Sequence, residues 1–113
     1  MTFLDQLLSL CSSEGQPQSA YQISPYHSVF YFRETEFIKF LEDISDFLEN
    51  AEFAEARTFG SLDIHFGIEL NGNHSRVTCR IHNPSSSLFH WIEAEFPSLA
   101  IFTREISWNH AKG

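Results

Sequence analysis

The sequence predicts an α+β domain in which a mixed or antiparallel sheet carries its helices mainly on one face. Apolar residues recur at helical spacing over residues 37–48, which predicts an amphipathic helix. Residues 61–70 instead alternate strictly between apolar and polar side chains, as in a half-buried strand. Asn71-Gly72 follows and strongly favours a hairpin. At 113 residues the chain suits one domain, so we predict a single domain over 1–113 in the order α-β-α-β-β-α.

The chain is expected to begin with a short helix and an edge strand. Residues 2–11 fit an amphipathic helix, because Thr2 and Asp5 have the spacing of a capping box. A loop over 12–20 is rich in Ser, Gln, Gly and Pro. The following residues up to Ser24 are predicted to form a short strand at the edge of the sheet.

The next segment predicts a strand followed by the strongest helix. Residues 28–33 are apolar and aromatic on both faces, which is typical of a strand covered on both sides. Thr35 is the expected N-cap of the helix over 37–48. Residues 50–59 are then expected to be a linking segment without regular structure.

The hairpin is expected to have one apolar face and one polar face. Its second strand spans about 75–82, and the residues predicted to face the core are Leu62, Ile64, Phe66, Ile68, Leu70, Val77, Cys79 and Ile81. Residues 87–96 suit another helix. Residues 99–108 are ambiguous between helix and strand, and an N-cap at Ser98 favours a helix.

The charge balance excludes some classes of partner. Fifteen carboxylates against seven lysines and arginines give a formal net charge of −8, which argues against nucleic acid and anionic lipid as partners. No apolar run is long enough to span a bilayer, and the start Met1-Thr2-Phe3 lacks the basic region of a secretory signal. Cys11 and Cys79 have no metal-site or disulfide spacing, so we expect reduced thiols and a cytoplasmic location.

The histidines are the richest titratable set, but no catalytic constellation emerges from the sequence. There is no phosphate-binding glycine loop, nucleophile elbow or zinc-protease motif. His65, His74 and His82 lie on or near the hairpin, and His65 and His82 are expected to share its polar face. A metal site there is one hypothesis. Solvent-facing strand histidines are the preferred interpretation, since no ligand spacing is matched.

Acidic residues are concentrated around the predicted 37–48 helix. Eight of the fifteen lie between Glu34 and Glu55, and the candidate partner-binding residues among them are Glu42, Asp43, Asp46 and Glu49. They form either a docking surface for a basic partner or an ordinary solvated helix face. The hairpin instead carries Arg76 and Arg80, so the charge predicts a two-sided protein that is suited to docking.

A motif near the C-terminus suggests a family. Within residues 96–106, an aromatic-proline step precedes Ile101-Phe102 and then Arg104-Glu105. This arrangement resembles the signature of the 30 kDa subunit family of respiratory complex I, which is shared with the small subunit of membrane-bound energy-converting nickel-iron hydrogenases. The predicted order of strands and helices from about residue 26 to 108 is also similar to that family.

Two departures from the family pattern are visible. Thr103 stands where the family has the first Glu of its Glu-Arg-Glu sequence, and Ser107-Trp108 replaces an acidic residue before an aromatic-glycine step. The family's C-terminal tail, which wraps the large subunit, is not found. The resemblance is therefore to a short, diverged member.

The resemblance implies a non-catalytic, cofactor-free subunit that packs on the large subunit of a redox complex. It would be cytoplasmic, held at the inner face of the membrane only through that complex. Phe102, Arg104, Glu105 and Trp108 would contact the partner. The alternative is an acidic binding protein, such as an immunity-type inhibitor or an adaptor, that docks a basic partner through the acidic helix. Twelve phenylalanines in 113 residues also leave a homodimer open.

Overall fold

The protein is an α+β domain, as predicted. The computed structural model describes residues 2–48 and 53–96. Its elements, in chain order, are α1 (Phe3–Ser9), β1 (Ser19–Ser24), β2 (His27–Phe32), α2 (Glu34–Ile44), β3 (Ala54–Thr58), β4 (Ser61–Leu70), β5 (Asn73–His82) and α3 (Ser86–Glu95). Single 3-10 turns follow α1 and α2, at Ser13–Gly15 and Ser45–Phe47. The predicted segment 99–108 lies outside the described residues.

The sheet is mixed, with five strands in the order β1-β2-β5-β4-β3. All neighbouring strands are antiparallel except β2 and β5, which run parallel at its centre. The β4–β5 hairpin turns at Asn71 and Gly72, both of which have positive φ. No helix in the part of the chain that the structure describes is long and apolar enough to cross a membrane.

The core lies between one face of the sheet and the helices. The predicted inward residues of β4 and β5 are all buried. From α2, Phe40 places its ring centroid 5.3 Å from that of Phe30 and 4.8 Å from that of Phe32. The buried apolar residues of all the helices join this same cluster, so burial of aromatic surface fixes the helices on one side of the sheet.

Two predictions in the middle of the chain are wrong. The expected linking segment 50–59 contains β3. The sequence does not indicate this strand, because Glu55 and Arg57 interrupt its apolar pattern. Glu55 is nevertheless 1% exposed, and its Oε1 lies 2.7 Å from Nε of Arg57. The N-cap of α2 is Arg33 and not Thr35, because the Glu36 carboxylate accepts a hydrogen bond from the backbone N–H of Arg33.

Among the described residues, helices cover one face of β2, so the expected cover on both sides is seen on that face alone. On the other face Tyr31 is half-buried. Val29 is buried there because it lies between its sheet partners Tyr21 and Thr78.

Asp43 joins the first 3-10 turn to α2. Its Oδ2 accepts hydrogen bonds from both the backbone N–H and the hydroxyl of Ser12, each at 2.9 Å, and its Oδ1 lies 3.1 Å from Nζ of Lys39. The turn packs so closely that a Cβ added to Gly15 would lie 2.7 Å from Oδ2 of Asp43. Burial raises the pKa of Asp43, but these hydrogen bonds outweigh it and hold the pKa below its ordinary value. Asp43, proposed from sequence as a partner contact, is thus engaged within the fold.

Replacing Asp43 with alanine is expected to destabilise the protein by about 1–3 kcal/mol, because the Ser12 N–H loses its acceptor. The same change at exposed Asp46 is the matched control and should leave the denaturant midpoint unchanged. Urea unfolding at neutral pH measures both. Equal midpoints for the two variants would show that the Asp43 contacts do not stabilise the fold.

Candidate protein-binding face

The face of the sheet opposite the helices is the candidate site. Because side chains alternate along a strand, the register assigns its members directly. We call this surface the open sheet face, and its described members are Ser19, Tyr21, His27, Val29, Tyr31, Ala56, Thr58, Ser61, Asp63, His65, Gly67, Glu69, His74, Arg76, Thr78, Arg80 and His82. No described helix packs on it. Four of the six histidines of the chain lie there.

Two histidines converge on one threonine at the centre of this face. The Thr78 hydroxyl oxygen lies 2.7 Å from Nε2 of His27 and 2.9 Å from Nδ1 of His65. A hydroxyl has one proton, so Thr78 can donate to one neutral imidazole and accept an N–H from the other. Thr78 is only 6% exposed, so its hydroxyl oxygen has little access to water, and the two imidazoles provide its hydrogen bonds.

The environment keeps both imidazoles neutral. Burial is the main cause that lowers the pKa of each ring, and the positive charge of Arg76 lowers both further. The negative charge of Asp63 raises the pKa of His65, but not enough to reverse the lowering. The His27–Thr78–His65 cluster is therefore a neutral hydrogen-bonded unit at neutral pH.

Beside this cluster lies an aromatic and cationic platform. Arg80 donates two hydrogen bonds to Asp63, with Nε–Oδ1 at 2.8 Å and Nη2–Oδ2 at 2.9 Å. The carbon of its guanidinium lies 5.7 Å from the ring centroid of Tyr31, whose ring lies 6.0 Å from that of Tyr21. These contacts hold the half-exposed Arg80 in one orientation and raise its pKa, chiefly through the hydrogen bond to Asp63.

A cavity of about 290 Å³ opens at one end of the platform. Tyr31, Arg80 and His82 contribute to its lining, and so does Phe59, which lies in the β3–β4 turn. The Phe59 ring is fully exposed, at 106%. An exposed aromatic ring beside a guanidinium, here that of Arg80 bound to Asp63, is typical of the residues that anchor protein interfaces.

The residues proposed from sequence fall into three groups. Glu42 and Asp46 are exposed on the helical layer, whereas Asp43 is engaged with Ser12 and Lys39. The remaining proposed residues lie outside the described residues: Glu49, Phe102, Arg104, Glu105 and Trp108. The structure therefore describes three of the eight.

His65 and His82 share the open sheet face, as predicted, but they are not neighbours. His65 pairs with Thr78, whereas His82 pairs with Ser61, four residues before His65 in β4. His27 is the histidine close to His65, and sequence patterns missed it because it reaches the site through the parallel β2–β5 pairing. Among the residues that the structure describes, no three or more Cys, His, Asp or Glu side chains gather as metal ligands would.

Comparison of the chain with protein-family models, with curated proteins and with solved structures finds no match. A functional proposal therefore depends on the open sheet face, on the distribution of charge and on the motif in residues 96–106.

The His27–Thr78–His65 cluster predicts that stability falls with acidification below about pH 6.5. The pKa of both rings is lower in the folded protein than the ordinary 6.5, so the unfolded chain binds more protons as the pH drops. The two rings contribute their full stabilisation above pH 6.5, and they lose it as the pH falls through their pKa values in the folded protein. Urea unfolding between about pH 7 and pH 5 measures this dependence.

The variant His27→Asn/His65→Asn should show a weaker dependence on pH over this range. His90→Asn, an exposed histidine on α3, is the matched control and should keep the wild-type dependence. An unchanged pH dependence in the double variant would rule out the cluster as its source.

Proposed function

We propose that the chain is a non-catalytic subunit that packs on a larger protein of a membrane-associated redox complex, of the hydrogenase or NADH dehydrogenase type. The observation that carries the docking part of the proposal is the open sheet face, which no described helix covers. The redox context comes from the motif in residues 96–106, which resembles the 30 kDa subunit family. In this role the chain holds no cofactor and performs no reaction of its own.

The chemistry of the open sheet face supports docking. Tyrosine and arginine are, with tryptophan, the residues enriched among interface anchors, because each combines a large contact surface with a polar group. Here Tyr31 and Arg80 are already fixed by their mutual contact and by Asp63. A partner would bind them without ordering them first, which reduces the entropic cost of association.

Charge directs an acidic partner toward this face and away from the helical layer. The described open sheet face carries Arg76 and Arg80 against Asp63 and Glu69, so it is formally neutral while its histidines are uncharged. The excess of −8 therefore lies elsewhere in the chain. An acidic partner would be repelled by the helical layer and would approach the sheet, so the asymmetry also orients the encounter.

A second candidate function uses the opposite side. Glu42 and Asp46 are exposed on the helical layer and could meet a basic partner, as an immunity-type inhibitor or adaptor would. The internal contacts of Asp43 leave this surface with fewer available carboxylates than the sequence suggested. The open sheet face is for that reason the preferred docking surface.

A charge reversal on each side of the molecule separates the two functions. A tagged chain is isolated from its native cells in mild detergent, and the larger metalloprotein subunit is quantified by mass spectrometry and by its bound metal. Arg76→Glu, which reverses an exposed charge on the open sheet face, should reduce recovery of that subunit about tenfold. Glu42→Lys is the matched reversal on the helical layer and should leave recovery unchanged.

Melting temperatures of the free variants verify that both remain folded. Loss of association in Glu42→Lys but not in Arg76→Glu would show that the acidic helical layer, and not the open sheet face, is the docking surface. If the wild-type chain recovers no metalloprotein subunit from cells whose redox complexes are intact, the proposed subunit role is wrong.

A further inference from the structure

The two edges of the sheet differ in how well they are protected. A strand at a sheet edge exposes unpaired backbone groups, and proteins usually guard it with charged side chains. At one edge, β3 carries Glu55 and Arg57, and the Arg57 guanidinium lies 4.3 Å from the ring centroid of Phe89 on α3. At the other edge, β1 has the sequence SAYQIS, with neither a charge nor a proline.

The uncharged character extends well beyond β1. Residues 15–32 contain no Asp, Glu, Lys or Arg, although the chain has 22 such residues in total. This segment covers β1, β2 and the turn between them. A second molecule that approaches this segment therefore meets no charged Asp, Glu, Lys or Arg side chain of the segment itself.

Large apolar and aromatic side chains are exposed along this edge. Tyr21 is 46% exposed, Ile23 is 61% exposed and Tyr26, in the turn, is 71% exposed. The pairing of β1 with β2 shifts register between Gln22 and Ser24, so Ile23 is the extra residue of a bulge. Regular pairing along β1 is therefore limited to Ser19–Gln22.

We propose that β1 pairs with β1 of a second copy of this chain, in antiparallel orientation about a two-fold axis. The two five-stranded sheets would then form one continuous sheet of ten strands. A second copy suits this edge because every register of SAYQIS on itself brings together uncharged side chains. Two copies with a charge of −8 each would repel one another through their acidic helical layers.

The short regular segment sets the strength of this dimer. Four regularly paired residues per strand, with Tyr21 and Ile23 packed across the axis, form an interface smaller than the standard size. The dimer therefore forms and dissociates with protein concentration. This inference is independent of the proposed redox role, since pairing at the edge leaves the centre of the open sheet face exposed.

Analytical ultracentrifugation of the full chain over about a hundredfold range of concentration tests the proposal. We expect a monomer–dimer equilibrium whose dissociation constant rises at least about tenfold in Ile23→Lys, because the new charges meet across the axis. Ser19→Lys, at another exposed position of β1, provides a second variant. Leu10→Lys, an exposed apolar residue after α1, is the matched control and should dimerise like the wild type.

Hydrogen exchange identifies the surface that is buried. Backbone amides of β1 should exchange more slowly at high concentration than at low concentration, while those of β3 stay the same. A monomer over the whole range would overturn the proposal. A dimer that both β1 variants leave intact, or one that leaves β1 exchange unchanged, would overturn it equally.

Discussion

The parallel pairing of β2 with β5 is the interaction on which the rest of the structure depends. Antiparallel neighbours can form from local hairpins, but this pair joins strands that are separated by α2, β3 and β4. The crossover places α2 over the sheet and buries Phe40 against Phe30 and Phe32. On the opposite face the same pairing brings His27 to Thr78. One non-local contact thus organises both the core and the candidate site.

Separation of charge follows from this one-sided arrangement. The helices bury their aromatic side chains against the sheet and leave acidic residues such as Glu42 and Asp46 outside. On the open sheet face, Arg80 pairs with Asp63, and Thr78 forms hydrogen bonds with His27 and His65. The molecule consequently presents an acidic helical layer and a near-neutral aromatic face, and partners of different charge would meet different sides.

Local patterns were sufficient to predict the fold class, the β4–β5 hairpin and its inward residues, because period-2 alternation and the Asn71-Gly72 turn are local signals. They failed at β3, where a buried Glu55 is compensated by Arg57 and no local rule anticipates the pair. The site was predicted least well. The hairpin pattern located His65, but Tyr31 and His27 reach the same face only through strand pairing at long sequence separation.

The chemistry of a partner decides how protonation acts on the open sheet face. The folded domain disfavours charge on His27 and His65, because burial and Arg76 oppose it. An apolar partner would bury these rings further, so protonation would compete with binding. A carboxylate placed near His65 would instead stabilise its charged form, and by linkage a proton would be taken up on binding. Acidification therefore weakens docking in the first case and strengthens it in the second, so the sign of the pH effect reports the charge of the surface that docks.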